Sequence, residues 1–308
     1  MKEKKTLFTV VIPTYNRAKL LKKAIQSVID QTVTDWELIV VDDSSTDDTE
    51  EIVIGFGDER IYYVYQEKKE RSVARNKGIK EASGEYICFL DDDDYYLENH
   101  LSLFYSFLIE KDFPKIILRS GFSREFERGE REKSTNYEPS LHKNPVYFSA
   151  FNMCAVVCLC IPREFLNKDT FPIEFPHWQD THLILRLLAK YPFHQIDAYT
   201  YVYRIHPLMG SIHHFTKKDF STRMELNLQA IHDLFDRYDM SGFLPEDTGS
   251  FLLAEKQLQY AIKSIKVLGR KKSLTFLKRS LRKKISWRLW RLYAIFGVSF
   301  MYPAYSTK

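Results

Sequence analysis

The chain has 308 residues, of which 44% are hydrophobic and 15% aromatic, a composition that suits a globular protein with a large core and excludes a disordered one. The first apolar stretch, Leu7 to Pro13, is too short for a signal peptide or a bilayer span, and no other uninterrupted apolar run reaches spanning length, so the sequence predicts a cytosolic origin. The net charge of +4 conceals an asymmetry: after Glu255 there is no Asp or Glu but 14 Lys or Arg, which leaves 31 of the 45 basic side chains facing all 41 acidic ones in residues 1–255. An acidic body with a basic tail predicts two surfaces with two different partners.

Residues 7–12 read as a buried strand, and Leu20, Leu21, Ala24, Ile25, Val28 and Ile29 keep a helical period from Lys19 to Gln31. Trp36 to Val41 predicts a second strand closed by Asp42-Asp43-Ser44-Ser45, followed by a helix through Ile54 capped by Ser45 or Thr46. Arg60 to Gln66 predicts a third strand, Ser72 to Ala82 a helix ended by Ser83-Gly84, and Tyr86 to Leu90 a fourth strand. Such alternation gives an α/β fold, a largely parallel sheet with helices on both faces, whose ligands bind at the C-terminal ends of the strands. The polar clusters Thr14 to Arg17, Asp42 to Ser45 and Asp91 to Asp94 all follow strands and are expected to converge on one edge. Downstream, 123–145 is charge-rich and predicts a loop or extended hairpin, Val146 to Pro162 a strand, His177 to Lys190 a helix, and Phe193 to Arg204 one or two strands. Beyond Lys217 the pattern is helical, with a break at Gly242 to Thr248. Cys88, Cys158 and Cys160 lie in apolar runs without a histidine cluster, as does Cys154, and read as reduced core thiols rather than a zinc site.

Four consecutive aspartates at the end of a buried strand repel one another, so either some are protonated or a cation sits among them. Hard oxygen donors suit Mg²⁺ or Mn²⁺. The alternative, an acidic turn capping the next helix, needs only one or two of the four. No glycine-rich phosphate loop follows the first strand; Pro13-Thr14-Tyr15-Asn16-Arg17 offers a hydroxyl, an aromatic ring and a guanidinium instead, which disfavours a dinucleotide fold and a nucleotidyltransferase.

Four segments occur in order: Val11-Ile12-Pro13-Thr14-Tyr15-Asn16-Arg17, Val40-Val41-Asp42-Asp43-Ser44-Ser45, Ala74-Arg75-Asn76-Lys77-Gly78 and Phe89-Leu90-Asp91-Asp92-Asp93-Asp94. Together they resemble the family 2 glycosyltransferases, inverting enzymes of the GT-A fold, over roughly residues 7–210. The resemblance implies that Pro13, Tyr15 and Arg17 border a nucleotide, that Asp43 accepts a hydrogen bond from its base, and that Arg75 lies near the diphosphate. It implies an Asp-x-Asp element of Asp91 and Asp93, with Asp93 the direct metal ligand and Asp91 and its neighbour Asp92 toward the nucleotide sugar; Asp92 and Asp94 are also available to the turn and the next helix. Trp178-Gln179-Asp180-Thr181 matches the family's acidic dipeptide in its second member, which makes Asp180 the general base, with a helix N-cap as its plain alternative. Tyr203-Arg204-Ile205-His206, followed by Ser211, resembles the family's Arg-x-His segment, so His206 is implied as a further metal ligand. His213 and His214 carry no such support.

The implied activity is transfer of a sugar from a nucleotide-sugar donor, a UDP-sugar by expectation, to a glycan or lipid-linked acceptor in cell-surface polysaccharide synthesis, with Mn²⁺ or Mg²⁺ as cofactor. A non-catalytic, membrane-docked nucleotide-sugar binder is the alternative from another class. The expected organisation is a transferase domain over 1–215 and a helical region over 216–308. In that region Arg270 to Arg291 holds 10 basic and no acidic residues, and Leu274, Leu277, Leu281, Ile285, Leu289 and Leu292 form one helical stripe that runs on into Trp287, Trp290 and Tyr293. Such a helix suits an anionic membrane surface, with nucleic acid and a subunit contact as its rivals; the reading adopted is peripheral binding at the cytoplasmic face of the inner membrane and no nucleic acid.

Overall fold

The computed structural model describes residues 6–67, 69–134, 144–151, 155–168, 170–175, 178–207, 217–240, 242–244, 248–268, 274, 275 and 277. Cys154, His177, Ser211, His213, His214 and nearly all of the basic segment 270–291 with its aromatic continuation lie outside them. The chain divides into two compact units, Met1–Ile212 and His213–Lys308.

The first unit opens with β1 (Phe8–Thr14), α1 (Ala18–Ile29), β2 (Trp36–Asp42), α2 (Thr49–Ile54), β3 (Ile61–Tyr65), α3 (Arg71–Glu81) and β4 (Tyr86–Phe89). These strands pair in parallel in the order β3-β2-β1-β4, and β1, β2 and β4 are buried along their whole length. Continuous burial explains why their sequences are unbroken apolar runs rather than alternating ones. β5 (Tyr95–Tyr96), α4 (His100–Glu110), β6 (Ile117–Glu125) and β7 (Arg131–Lys133) follow, then α5 (Pro145–Phe151), β8 (Leu159–Pro162), α6 (Arg163–Leu166), α7 (Gln179–Lys190) and β9 (Phe193–Arg204). β8 runs antiparallel to both β4 and β6, β9 lies parallel to β6, and β5 closes the order antiparallel to β9. The expected α/β sheet is therefore parallel in its first four strands and mixed beyond them. The charged stretch after β6 forms the β6–β7 hairpin over its described part.

Two expectations change. Val146 to Pro162 is not one strand: 145–151 is α5, Val156–Cys158 is a single 3-10 turn, and only Leu159–Pro162 joins the sheet. The backbone N–H of Tyr147 donates to Asn144 Oδ1 at 3.1 Å and Pro145 occupies the first helical position, so an Asn-Pro start outweighed apolar character. Neither Ser45 nor Thr46 caps α2, which begins at Thr49; both are drawn to Asn16 of the neighbouring loop.

At the edge opposite the strand C-termini, buried Glu37 accepts from Thr9 Oγ1 at 2.6 Å, Ser83 Oγ at 2.8 Å and the Gly84 N–H at 3.2 Å. A Cβ on Gly84 would stand 2.6 Å from the Thr9 backbone nitrogen, so the α3–β4 connection closes this tightly only with glycine there. Gly78 does the same for α3: a Cβ would lie 2.3 Å from Val11 Cγ1, so the bare backbone lets α3 rest directly on β1 and carries its first turn over the strand ends. Cys88 and Cys160 face each other in register between β4 and β8, and both, like Cys158, are buried thiols outside any disulfide. In the second unit, α8 (Lys217–Arg237) and α9 (Thr248–Leu268) form a helical pair broken between 237 and 248, as the sequence predicts. Among the described residues no helix is long and apolar enough to cross a membrane.

His100 opens α4 fully buried, stacked on Tyr96 at 3.8 Å between ring centroids, with Nδ1 2.7 Å from Thr200 Oγ1. Burial lowers its pKa from 6.5 to about 3. An unfolded histidine takes up a proton near pH 6.5 while the folded one resists until about pH 3, so the stability held by the neutral ring is present above pH 6.5 and lost as pH falls toward 3. Urea denaturation from about pH 7 down to about pH 4 should show a wild-type acid limb steeper than that of His100→Phe by about 1.4 kcal/mol per pH unit.

Candidate active site

The loops after β1 and β2 are laced together at the sheet's C-terminal edge. Asn16, in the left-handed region at φ 51°, accepts from the Thr46 N–H at 2.7 Å, and its own N–H donates to Ser45 Oγ at 2.8 Å. Asp42 closes the β2 turn through the Ser45 N–H at 2.9 Å and accepts from Tyr63 OH at 2.6 Å. Buried Asp43 accepts from Gln66 Nε2 at 2.7 Å and from the Lys69 and Glu70 N–H groups at 2.8 and 3.0 Å. It thereby shapes the loop that delivers α3. Pro13 is buried at the end of β1, while Tyr15 beside it is 39% exposed.

The four aspartates diverge in environment although adjacent in sequence. Asp92 is buried and accepts from Thr14 Oγ1 and Arg17 Nη1, both at 2.9 Å; burial pushes its carboxyl up to about 6 against the pull of Arg17. The same Arg17 nitrogen reaches Asp93 Oδ2 at 2.6 Å, and His206 Nε2 lies 3.4 Å from that oxygen. Asp94 turns inward to accept from Tyr201 OH and, at 2.8 Å, from the Arg204 N–H; burial and then repulsion from Asp93 and Asp91 raise its carboxyl well above the ordinary range. For Asp91 burial also acts upward, but the charges of Arg75 and Arg71 outweigh it and hold the carboxyl below its usual value.

Arg75 is the hub. Its side chain has no solvent exposure, yet Nη2 donates to Asp91 Oδ1 at 2.7 Å and Nη1 to Asp180 Oδ1 at 2.6 Å. Its guanidinium carbon lies 5.2 Å from the centre of the Phe171 ring. Asp180 sits in the first turn of α7, which begins after Trp178 in the left-handed region at φ 70°. No side chain caps α7, so the carboxylate of Asp180 is committed to Arg75 and not to the N-cap role. Asp91, Asp94, Trp178, Asp180, Tyr201 and Tyr203 contribute to the walls of one cavity of about 280 Å³.

The structure thus gathers Arg17, Arg75, Asp91, Asp92, Asp93, Asp180 and His206 around the end of β4, with Tyr15 and Asp43 on the adjoining loops. Thr14 and Asp92 emerge as a latch between two strand ends, and Arg75 as an enclosed bridge. Three participants carried no strong local signal. Tyr201 is one tyrosine among several in β9, Trp178 is marked only by its neighbour Asp180, and Arg71 shows itself only by standing one helical turn before Arg75. As to a cation, oxygens of Asp91, Asp93 and Asp94 lie within 4.8 Å of one another. Both oxygens of Asp94 are engaged, whereas among the described residues Asp91 and Asp93 each use one on an arginine, so this all-carboxylate set fits a hard divalent ion held mainly by those two.

Replacing Arg75 by Met should destabilise the protein by about 3 kcal/mol in urea denaturation, because Asp91 and Asp180 would face each other without their shared cation. Lys at 75 should recover only part of that loss, since one ammonium cannot span both carboxylates as a fork does.

Comparison with known proteins bears on this arrangement. Residues 9–168 match Glycosyl transferase family 2. The chain is 40% identical over 194 residues to the putative teichuronic acid biosynthesis glycosyltransferase TuaG of Bacillus subtilis, covering 60% of this chain and 73% of that protein. It is 31% identical over 191 residues to WfgD of Escherichia coli, a UDP-Glc:alpha-D-GlcNAc-diphosphoundecaprenol beta-1,3-glucosyltransferase, covering 59% and 70%. The chain spans about a third or less of the length of similar uncharacterized glycosyltransferases from Rickettsia species, 32%, 18% and 32% of three of them. In fold it is similar to Staphylococcus aureus TarS, solved with UDP-GlcNAc, at a TM-score of 0.60 and 17% identity over 90% of this chain and 92% of that one. It is likewise similar to the mannosyltransferase PcManGT of Pyrobaculum calidifontis, solved with GDP-Man and Mn²⁺, at 0.58 and 18% over 96% and 81%. With more than half its length matched by the family pattern and two bacterial relatives aligned over more than two thirds of their own length, this chain belongs to glycosyl transferase family 2.

Proposed function

We propose that the protein transfers a sugar from a nucleotide-sugar donor to a hydroxyl of a lipid-linked or glycan acceptor, with inversion, in the building of a cell-surface polysaccharide. The observation that carries this reading is the Arg75 bridge, which ties the carboxylate cluster at the end of β4 and Asp180 of α7 to the wall of one cavity. Asp180 is the general base. It takes the proton of the acceptor hydroxyl while that oxygen bonds to the anomeric carbon, and the bond from that carbon to the diphosphate breaks on the opposite face. A single displacement of this kind inverts the centre and needs no protein nucleophile. Arg75 holds one Asp180 oxygen and leaves the other for the acceptor.

Pro13, Tyr15 and Asp43 border the nucleotide in this reading. Among the described residues Asp43 Oδ2 accepts from Glu70 alone, which leaves room for one more donor such as a base N–H. Asp91 and Asp93 hold a divalent ion, Mn²⁺ or Mg²⁺, with His206 beside Asp93; when bound there it supplies positive charge opposite the departing diphosphate. The Mn²⁺ complex of PcManGT and the UDP-GlcNAc complex of TarS support a metal and a UDP-sugar, and WfgD supports a diphosphate-lipid acceptor. The two-domain division at 215/216 and peripheral attachment at the cytoplasmic face through the basic segment 270–291 belong to the same proposal. The segment's ten cations and apolar stripe are what support it, at roughly 1 kcal/mol per Lys or Arg near an anionic leaflet.

Nucleoside diphosphate release from a panel of UDP- and GDP-sugars with Mn²⁺ tests the base. Asp180→Asn should still bind donor while turnover falls by about 10²-fold or more. Equal release by both proteins would remove Asp180 from the role, and binding without release by wild type would return the non-catalytic alternative. For the tail, truncation after residue 269 should abolish flotation with anionic liposomes, and retained flotation would rule the segment out.

A further inference from the structure

Resting on that reading, we infer that Arg71 is the residue that grips the diphosphate of the nucleotide donor, a task for which Arg75 is too enclosed. Three arginines stand around the aspartate cluster, and they differ in how far their donors are spent. Arg75 has no exposed side-chain surface and gives both Nη groups to Asp91 and Asp180. Arg17 gives Nη1 to both Asp92 and Asp93. Arg71 is exposed, and among the described residues its side chain makes no hydrogen bond and no ion pair.

Its position is fixed all the same. Arg71 is the first residue of α3, one turn before Arg75 and on the same helix face. That turn is anchored by Glu70, whose side chain accepts from the Ser72 N–H and whose own N–H is held by Asp43. Arg71 stands within the field of the acidic site: Asp91 foremost, then Asp180, Asp92 and Asp93 hold its guanidinium firmly protonated, while its charge is felt in turn by Arg17. A guanidinium that faces solvent from among four carboxylates, with its planar fork of donors uncommitted, is suited to a dianion that enters from solvent. The diphosphate of the donor gains from such a partner beside the divalent ion, because it carries negative charge into a site lined by carboxylates.

Titration calorimetry with UDP, GDP, ADP, CDP and dTDP, and with the matching nucleosides, separates the possibilities. Arg71→Ala should weaken the nucleoside diphosphate that wild type binds by roughly 10- to 100-fold and leave the nucleoside itself unchanged. Arg71→Lys should restore part of the loss and, because it keeps the positive charge that Asp91 feels, should hold the thermal midpoint at wild type. Unaltered diphosphate affinity in Arg71→Ala, while wild type binds, overturns the assignment and leaves the donor-site reading standing. No binding of any diphosphate by wild type overturns both. Geranyl diphosphate is the second arm: if Arg71→Ala weakens it and not the nucleoside diphosphate, the residue serves the lipid diphosphate of an acceptor and the inference as stated is wrong.

Discussion

A buried guanidinium shared between two carboxylates cannot lose either partner without leaving charge stranded, and Arg75 is that guanidinium here. It joins α3 to the turn after β4, 16 residues on, and to the start of α7, 105 residues away. Gly78 permits the connection from below, since the bare backbone lets α3 settle on β1. Asp43 and Glu70 permit it from the side, by fixing the loop from which α3 starts. Taken together, the helix is seated at one end by close packing and at the other by hydrogen bonds, and the bridge between Asp91 and Asp180 is the consequence.

Four aspartates in a row are tolerable because they are not electrostatically equivalent. Arginines hold Asp91 low, while burial pushes Asp92 up to about 6 and also raises Asp94 well above the ordinary range. Asp92 and Asp94 are therefore framework, one latching Thr14 and Arg17 and the other accepting from β9. Asp91 and Asp93 remain the pair with oxygens to spare. The division of labour follows from which way each side chain points as the strand ends, not from its identity.

Backbone strain is concentrated in the same place. Of the six described non-glycine residues with positive φ, Asn16, Ser44, Glu70 and Trp178 all belong to loops that border the site, and the other two form the turn after α4. Glu70, at φ 117° and ψ 158°, occupies a region that glycine ordinarily takes, at a cost of about 1–3 kcal/mol. Each of the four is tied down by bonds of its own or by a neighbour's, so the loops are held in conformations they would not adopt alone. Three of these loops carry residues assigned here to the donor, and the fourth delivers Asp180.

Local pattern determined a good deal by itself. Unbroken apolar runs gave β1, β2 and β4, because strands buried on both faces must be apolar throughout, and the polar clusters at their ends marked the working edge. The motifs around Arg17, Asp43, Arg75 and Asp91 gave the family, which the comparisons bear out. What the chain could not announce is anything that depends on distance across the fold. Asn144 and Pro145 turned an apolar segment into α5, the antiparallel β8 made the sheet mixed, and Arg75, read as a neighbour of the diphosphate, became an enclosed bridge. Which arginine is spent and which is left open depends on a few ångströms between side chains more than a hundred residues apart, and only tertiary packing decides that.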